Sequence, residues 1–293
     1  MKLPPVQHIR TAVRIALQED LAQGDATTAA LFSKPIHARG RIMAQSPVVV
    51  AGIAVAREVF VQLDPDIRVL EAVADGPSID KKTLIMTVEG DARSLLAAER
   101  VALNFLQHLS GIATLTAKFC AAVRGYKTKI LDTRKTIPGL RYLEKWAVRL
   151  GGGYNHRHSL GDGILIKDNH LMLLKAQRLS LAQGCRLARE RGPHGLRVMA
   201  EAESLDQVRD ALQGQADVIL LDNMTLAQVR DAVAVIKGRA LVEVSGGITL
   251  TTAPEMAAAG ADYLSIGSLT HSAPAADLSM DIVATGTGRS RKS

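Results

Sequence analysis

The sequence predicts an α/β protein whose C-terminal half is a parallel sheet built from β/α repeats, preceded by a smaller α+β domain. Three observations predict it. After about residue 125, six short apolar runs recur, each ending near a polar residue or glycine and each followed by a segment of helical spacing. That is the rhythm of βαβ units, and a barrel closes such a sheet. The composition, 47% hydrophobic but only 3% aromatic, suits helices on parallel strands better than an antiparallel sandwich. At 293 residues the chain has room for a sizeable core and for one large domain or two ordinary ones. A doubly wound open sheet is the alternative, weakened because no Gly-x-Gly-x-x-Gly follows a strand.

The elements follow in order. Ile9, Val13, Ala16 and Leu17 recur at helical spacing, and Gly24-Asp25-Ala26-Thr27-Thr28 breaks that helix. Arg41 to Ala44 and Val48 to Ala51 read as strands, Ile53 to Leu63 as a helix, and Ile67 to Ala74 and Thr83 to Glu89 as two more strands. Ser94 to Val123 is helical, with a break expected near Gly111. Four strands with helices suggest an α+β domain to about residue 110. The repeating strands are Thr128 to Asp132, Gly163 to Lys167, Arg197 to Glu201, Val218 to Asp222, Leu241 to Ser245 and Tyr263 to Gly267. Trp146, Tyr142 and Leu143 lie at helical spacing and are expected in the core.

Composition also bounds the function. Cys120 and Cys185 stand alone, without metal-ligand spacing, and are expected to be buried free thiols. Met1 to Arg10 lacks the apolar stretch of a signal peptide, and no apolar run approaches the length of a membrane span. A soluble cytoplasmic protein, with no membrane partner, is expected. The net charge of +7, from 36 Lys+Arg against 29 Asp+Glu, admits a nucleic-acid surface or a site for polyanionic small molecules. Outside Arg289-Ser290-Arg291-Lys292, expected to be a solvated disordered tail, the cations are dispersed or lie in turn motifs, and few aromatics are available for base stacking. The small-molecule reading is preferred, with no nucleic-acid partner.

In a β/α barrel the chemistry sits where the strands end. Here those ends supply Asp132, Arg134, Lys135, Lys167, Glu201, Asp222, Ser245 and Gly267. Ser245-Gly246-Gly247-Ile248-Thr249 and Ile266-Gly267-Ser268-Leu269-Thr270 follow the last two strands. Their glycines let the backbone approach a ligand, and free amides at a helix start can hold a phosphate. Glu201 and Asp222 end consecutive strands and could bind a divalent metal or a sugar diol, or stabilise positive charge. Glu203 should point to the opposite face of a regular strand. Lys167 could instead form a Schiff base with a carbonyl substrate. His156 and Arg157 follow three glycines; His158 reads as a surface or packing residue, and His170 as part of a helix's first turn.

These segments resemble the quinolinate phosphoribosyltransferase family nearly end to end. The resemblance is carried by Glu99 to Asn104 with Leu109 to Thr114, by Asp132 to Arg141, Gly151 to Arg157, Ile166 to His170, Leu221 to Met224, Glu243 to Ile248 and Leu269 to Ser272. One departure is that the family usually alternates Glu and Val where this chain has Met199-Ala200-Glu201-Ala202-Glu203; both acids survive. The resemblance implies an open α/β barrel over residues 111–274 and an N-terminal α/β sandwich over residues 1–110, on which residues 275–293 could pack back. It implies phosphoribosyl transfer from phosphoribosyl pyrophosphate to quinolinate with decarboxylation, giving nicotinate mononucleotide in de novo NAD biosynthesis, with Mg2+ as cofactor. The partners implied are the two substrates and a second copy, in a homodimer or higher even oligomer with shared active sites. Arg134, His156, Arg157 and Lys167 would surround the quinolinate carboxylates, with Arg100 from the partner subunit. Thr133 would lie beside the substrates. Lys135, Glu201 and Asp222 would handle phosphoribosyl pyrophosphate as the catalytic set, Glu201 and Asp222 holding the metal. Ser245, Gly246, Gly247, Gly267, Ser268 and Leu269 would hold the 5′-phosphate. The nearest alternatives are a related transferase acting on nicotinate or another anionic ring, and the Schiff-base lyase.

Overall fold

The computed structural model describes residues 3–285; the basic tail at 289–292 lies outside the described residues. In chain order its elements are α1 (Val6–Asp20), α2 (Ala26–Leu31), β1 (His37–Ala44), β2 (Val48–Val49), α3 (Ile53–Leu63), β3 (Arg68–Ala72), β4 (Ser78–Ile79), β5 (Leu84–Asp91) and α4 (Ala92–Ala122). There follow β6 (Lys129–Leu131), α5 (Arg141–Leu150), β7 (Ile164–Ile166), α6 (Asp168–Ala176), α7 (Leu181–Arg191), β8 (Val198–Ala202), α8 (Leu205–Gln213), β9 (Val218–Asp222), α9 (Leu226–Ile236), β10 (Leu241–Ser245), α10 (Ala253–Ala258), β11 (Tyr263–Ser265), α11 (Ser268–His271) and β12 (Leu278–Ala284). They form two compact units. The first comprises residues 3–115, 137–151 and 273–285; the second comprises 116–136 and 152–272.

The first unit holds an antiparallel sheet of order β12-β1-β5-β3. The sheet alternates as a half-buried surface should: along β1, Ala38, Gly40, Ile42 and Ala44 are buried between more exposed neighbours. The C-terminal β12 lies along β1, Ala44 opposite Leu278 and Ala38 opposite Ala284. Helix α1 buries Ile9, Val13 and Leu17 at four-residue spacing. Three expectations need correction here. The stretch at Gly24 to Thr28 ends α1 but also starts a short helix, because Asp25 caps α2 by accepting the Thr28 amide at 2.9 Å. Helix α4 runs unbroken through Gly111. A Cβ there would lie 2.1 Å from the carbonyl oxygen of Pro274, so this glycine admits a close backbone rather than ending the helix. Leu143 and Trp146 of α5 are core residues, but Tyr142 is exposed and stacks on His8 at 3.8 Å between ring centroids.

The second unit is the parallel sheet, in the order β6-β11-β10-β9-β8-β7. From β7 to β11 each strand pairs with the next in sequence, and β6 returns beside β11. The winding never reverses, which excludes the doubly wound alternative, whose order switches direction at its centre. Among the described residues β6 and β7 do not pair with each other, so the barrel is open along one seam. The free edge of β6 is met by Tyr154, whose backbone exchanges hydrogen bonds with Ile130 and Asp132. Ser180, Ser204 and Thr225 cap α7, α8 and α9 through side-chain oxygens that accept first-turn amides. Neither cysteine is bonded. Cys185 is buried, which pushes its thiol up to about 11, whereas Cys120, expected to be buried, is only half-buried near the end of α4. Among the described residues no helix is long and apolar enough to cross a membrane.

Candidate active site

All six strands of the second unit run the same way, so their C-terminal ends open on one mouth. A cavity of about 670 Å³ lies there. Its lining follows the strand order, and the chemistry divides along that order.

At the seam stand the cations. Thr133, Arg134 and Lys135 follow β6, His156 and Arg157 follow the Tyr154 bridge on its free edge, and Lys167 follows β7. Asp132, fully buried, holds the 155–156 turn by accepting Asn155 Nδ2 at 2.5 Å and the His156 amide at 2.8 Å. It is an anchor beneath the mouth, not part of the lining. Arg157 Nη1 donates to the Gly163 carbonyl at 2.9 Å, just before β7. The guanidinium thus bridges the seam that the strands leave open. Burial lowers the Arg157 pKa, and the charge of Arg134 lowers it further. Arg134 Nε is buried and, among the described residues, without a hydrogen-bond partner. Two half-buried cations held this close favour an anion between them.

Carboxylates come next. Glu201, one residue before the end of β8, accepts Lys167 Nζ at 2.6 Å. Asp222 ends β9 one strand over. One oxygen each from Glu201, Glu203 and Asp222 lies within 4.8 Å of the others. The expectation that Glu203 faces away fails because residues two apart along a strand share a face; Glu203, one residue past the end of β8 at Ala202, stays on the side of Glu201.

Beyond them lie the glycine loops. Gly246 and Gly247 follow β10 with φ of 93° and 60°, the left-handed region that glycine enters freely. Among the described residues neither amide donates to the protein. These amides belong to a turn, since α10 begins only at Ala253, and not to a helix start as expected. Ser245, Gly267 and Ser268 complete this part of the lining. Leu269 does not line the cavity; its side chain is fully buried. Arg100 belongs to the first unit, exposed on α4, and is not among the lining residues.

Sequence reasoning missed Glu243, Ser265 and His271, all of which line the cavity. Glu243 is 2% exposed, accepts the Ser265 hydroxyl and lies 3.3 Å from His156 Nε2. His156 Nδ1 accepts the Arg157 amide at 2.7 Å, so the ring proton in this arrangement sits on Nε2, toward Glu243. A lone glutamate inside the otherwise apolar strand Leu241–Ser245 was the available signal for it. His170 Nδ1 accepts the Lys167 amide at 3.0 Å at the start of α6, the first-turn part the sequence suggested. His158, half-buried, follows the same turn and does not line the cavity.

Comparison with known proteins agrees with this architecture. Residues 25–110 match the family model for the quinolinate phosphoribosyl transferase N-terminal domain, and residues 112–281 match that for the C-terminal domain. The chain is 43% identical over 279 residues to the nicotinate-nucleotide pyrophosphorylase [carboxylating] of Mycobacterium leprae (strain TN), covering 93% of this chain and 96% of that one. It is 41% identical over 264 residues to a probable nicotinate-nucleotide pyrophosphorylase [carboxylating] of Bacillus subtilis (strain 168), covering 90% of each. The crystal structure of NadC from Streptococcus pyogenes superposes with a TM-score of 0.90 at 40% identity, over 98% of this chain and all of that one (100%). That of the Francisella tularensis nicotinate-nucleotide pyrophosphorylase gives 0.89 at 35% identity, over 97% and 100%. With both domains matched and relatives this similar over nearly their whole length, the chain belongs to the quinolinate phosphoribosyltransferase family.

Proposed function

We propose that this protein transfers the phosphoribosyl group of phosphoribosyl pyrophosphate to quinolinate, giving nicotinate mononucleotide, pyrophosphate and CO2 in de novo NAD biosynthesis. One observation carries the reading: a single cavity holds cations on the two strands that flank the seam, β6 and β7, carboxylates on β8 and β9, and glycine turns after β10 and β11 that lead back to β6.

Arg134, Arg157 and Lys167, with His156 among them, bind the two quinolinate carboxylates. Ser245 to Gly247 and Gly267 to Ser268 receive the 5′-phosphate, Leu269 contributing only backbone. The ribose then lies by Glu201 and Asp222, and Lys135 faces the pyrophosphate. The quinolinate ring nitrogen attacks the anomeric carbon as the bond to pyrophosphate breaks, through an oxocarbenium-like state. Glu201 and Asp222 stabilise that cation electrostatically, and Lys135 stabilises the leaving group. No protein nucleophile is required. Loss of the ring carboxylate as CO2 leaves its electron pair in the cationic pyridinium ring, and a proton takes its place. Mg2+ belongs to the proposal because three converging carboxylates offer the hard oxygen donors it selects. Glu201 and Asp222 would hold it, with Glu203 in reach, and bound there it neutralises charge on the pyrophosphate. A second copy of the chain supplies Arg100 in a dimer or higher even oligomer, and the protein works in the cytoplasm.

The test supplies quinolinate, phosphoribosyl pyrophosphate and Mg2+ and follows nicotinate mononucleotide and CO2. No product would sink the proposal. Nicotinate should react ~10⁴-fold less efficiently, because it leaves buried donors unpaired; equal turnover would assign the sister reaction. The lyase reading requires a borohydride-trapped adduct on Lys167. None is expected, since its Nζ is engaged with Glu201.

A further inference from the structure

We propose that Asn223 is a positioning residue that braces the carboxylate of Asp222 against the glycine turn after β10, so that the ribose and phosphate subsites are set as one unit. The inference rests on the reading of the cavity as a phosphoribosyl pyrophosphate site.

Four observations meet at this side chain. Asn223 Nδ2 donates to Asp222 Oδ2 at 2.7 Å, which fixes the rotation of a carboxylate that otherwise projects half-exposed from the end of β9. The Asn223 amide donates to the Ser245 carbonyl at 3.0 Å, prolonging the β9–β10 ladder past the in-register pair of Ser245 and Asp222. Asn223 has φ of 54°, in the left-handed region where asparagine is among the few side chains tolerated. Finally, a Cβ on Gly246 would lie 2.1 Å from Asn223 Oδ1 and 2.7 Å from its Cγ. Gly246 therefore lacks a side chain where Asn223 needs the space, and the turn is seated on the amide.

The consequence is chemical. A carboxylate beside a developing oxocarbenium ion stabilises it only if its orientation is set before the reaction. The free amides of Gly246 and Gly247 fix the 5′-phosphate, and through it the ribose. One side chain that touches both the carboxylate and the turn sets the distance between them. Neither the seam cations nor Lys167 is held by Asn223, so its effect should be confined to one substrate.

Two variants test the brace. Asn223→Gly keeps the left-handed backbone without strain and removes the amide. Asn223→Asp keeps the shape but puts an oxygen where the donor was, against Asp222. Binding of phosphoribosyl pyrophosphate with Mg2+ is measured by calorimetry without quinolinate, quinolinate binding is measured separately, and melting temperatures are recorded. Affinity for phosphoribosyl pyrophosphate should fall ~10-fold in the glycine variant, the lower end for loss of a supporting hydrogen bond, and further in the aspartate variant. Quinolinate affinity should stay within about twofold and melting within a few degrees of wild type. Unchanged binding of phosphoribosyl pyrophosphate in both variants overturns the brace. So does an aspartate variant equal to wild type, which would make Asn223 a mere filler, or equal weakening of both substrates with a lowered melting temperature. A wild-type protein that binds phosphoribosyl pyrophosphate but does not convert quinolinate refutes the proposed reaction instead, and the brace is then judged by the binding ratios alone.

Discussion

Replacing Arg134 with methionine should stabilise the protein while nearly abolishing quinolinate binding. The structure supplies both signs. Among the described residues Arg134 Nε is buried without a partner, and an unsatisfied buried donor costs about 1–3 kcal/mol. Its charge also bears on Arg157, whose pKa it helps to lower. Methionine has similar length and flexibility, carries no donor and fills irregular space. It removes both penalties and should gain about 1–2 kcal/mol, a rise of roughly 2–8 °C in melting temperature at 2–4 °C per kcal/mol. Binding moves the other way. Losing one partner of a desolvated charge pair costs ~2–5 kcal/mol, or ~30-fold to several-thousand-fold in affinity. Differential scanning fluorimetry with and without quinolinate reads both effects. Wild type should gain about 2.7 kcal/mol with ligand at a hundred times its dissociation constant, and the variant should start higher and gain no more than about 0.9 kcal/mol. A variant that melts lower than wild type, or gains as much as wild type from quinolinate, refutes the account of Arg134 as a strained, ligand-awaiting cation.

The remaining predictions concern charge, assembly and packing. Glu201→Gln and Asp222→Asn should each lower turnover by ~10²–10³ with quinolinate affinity little changed; near-normal turnover in both rejects their electrostatic role. Arg100→Ala and Lys135→Ala proteins, each inactive, should recover activity when their subunits are exchanged, because a mixed dimer rebuilds one site; verified exchange without recovery rejects sharing. Gly111→Ala should cost up to about 2 kcal/mol. The new methyl meets backbone of Pro274 and Ala275, and overpacking of ~1–3 kcal/mol outweighs the ~1 kcal/mol helix gain; an unchanged denaturant midpoint would contradict that contact. The Glu89 pKa is lowered, chiefly by its hydrogen bond from Arg39 and then by Arg68. A depressed acid contributes stability that is present above its unfolded pKa and lost as pH falls through its folded pKa. Glu89→Gln should therefore melt below wild type at neutral pH, and the gap should close in strong acid; a gap independent of pH would assign the loss to packing.

The sheet of the second unit was legible because its strands are local. Val218–Asp222 and Leu241–Ser245 are short apolar runs that begin and end where the pattern says, and α3 spans Ile53–Leu63 as its spacing predicts. The cavity residues were legible for the same reason. A strand end is a position in sequence, and parallel strands bring such positions to one mouth whatever their exact packing. Hence Arg134, Lys135, Lys167, Glu201, Asp222 and the two glycine turns could be listed in advance, and the family motifs added His156 and Arg157.

What sequence could not reach depends on contacts between distant segments. Gly111 has the local signature of a helix break, and only the Pro274 carbonyl lying over it shows why a glycine stands inside a continuous helix. Glu203 shares a face with Glu201, two residues before it, but only the pairing of β8 with β9 brings Asp222 beside them. Glu243 reads as one anomalous charge in an apolar strand until Ser265 and His156 are brought beside it. The barrel's seam is a property of which edges pair, and Arg157 crossing it to Gly163 follows from that alone. Apolar periodicity and turn chemistry are encoded within a few residues and are read directly. Satisfaction of a buried charge, room for a Cβ and the pairing of sheet edges are set by the partner that folding delivers, and only the tertiary structure names it.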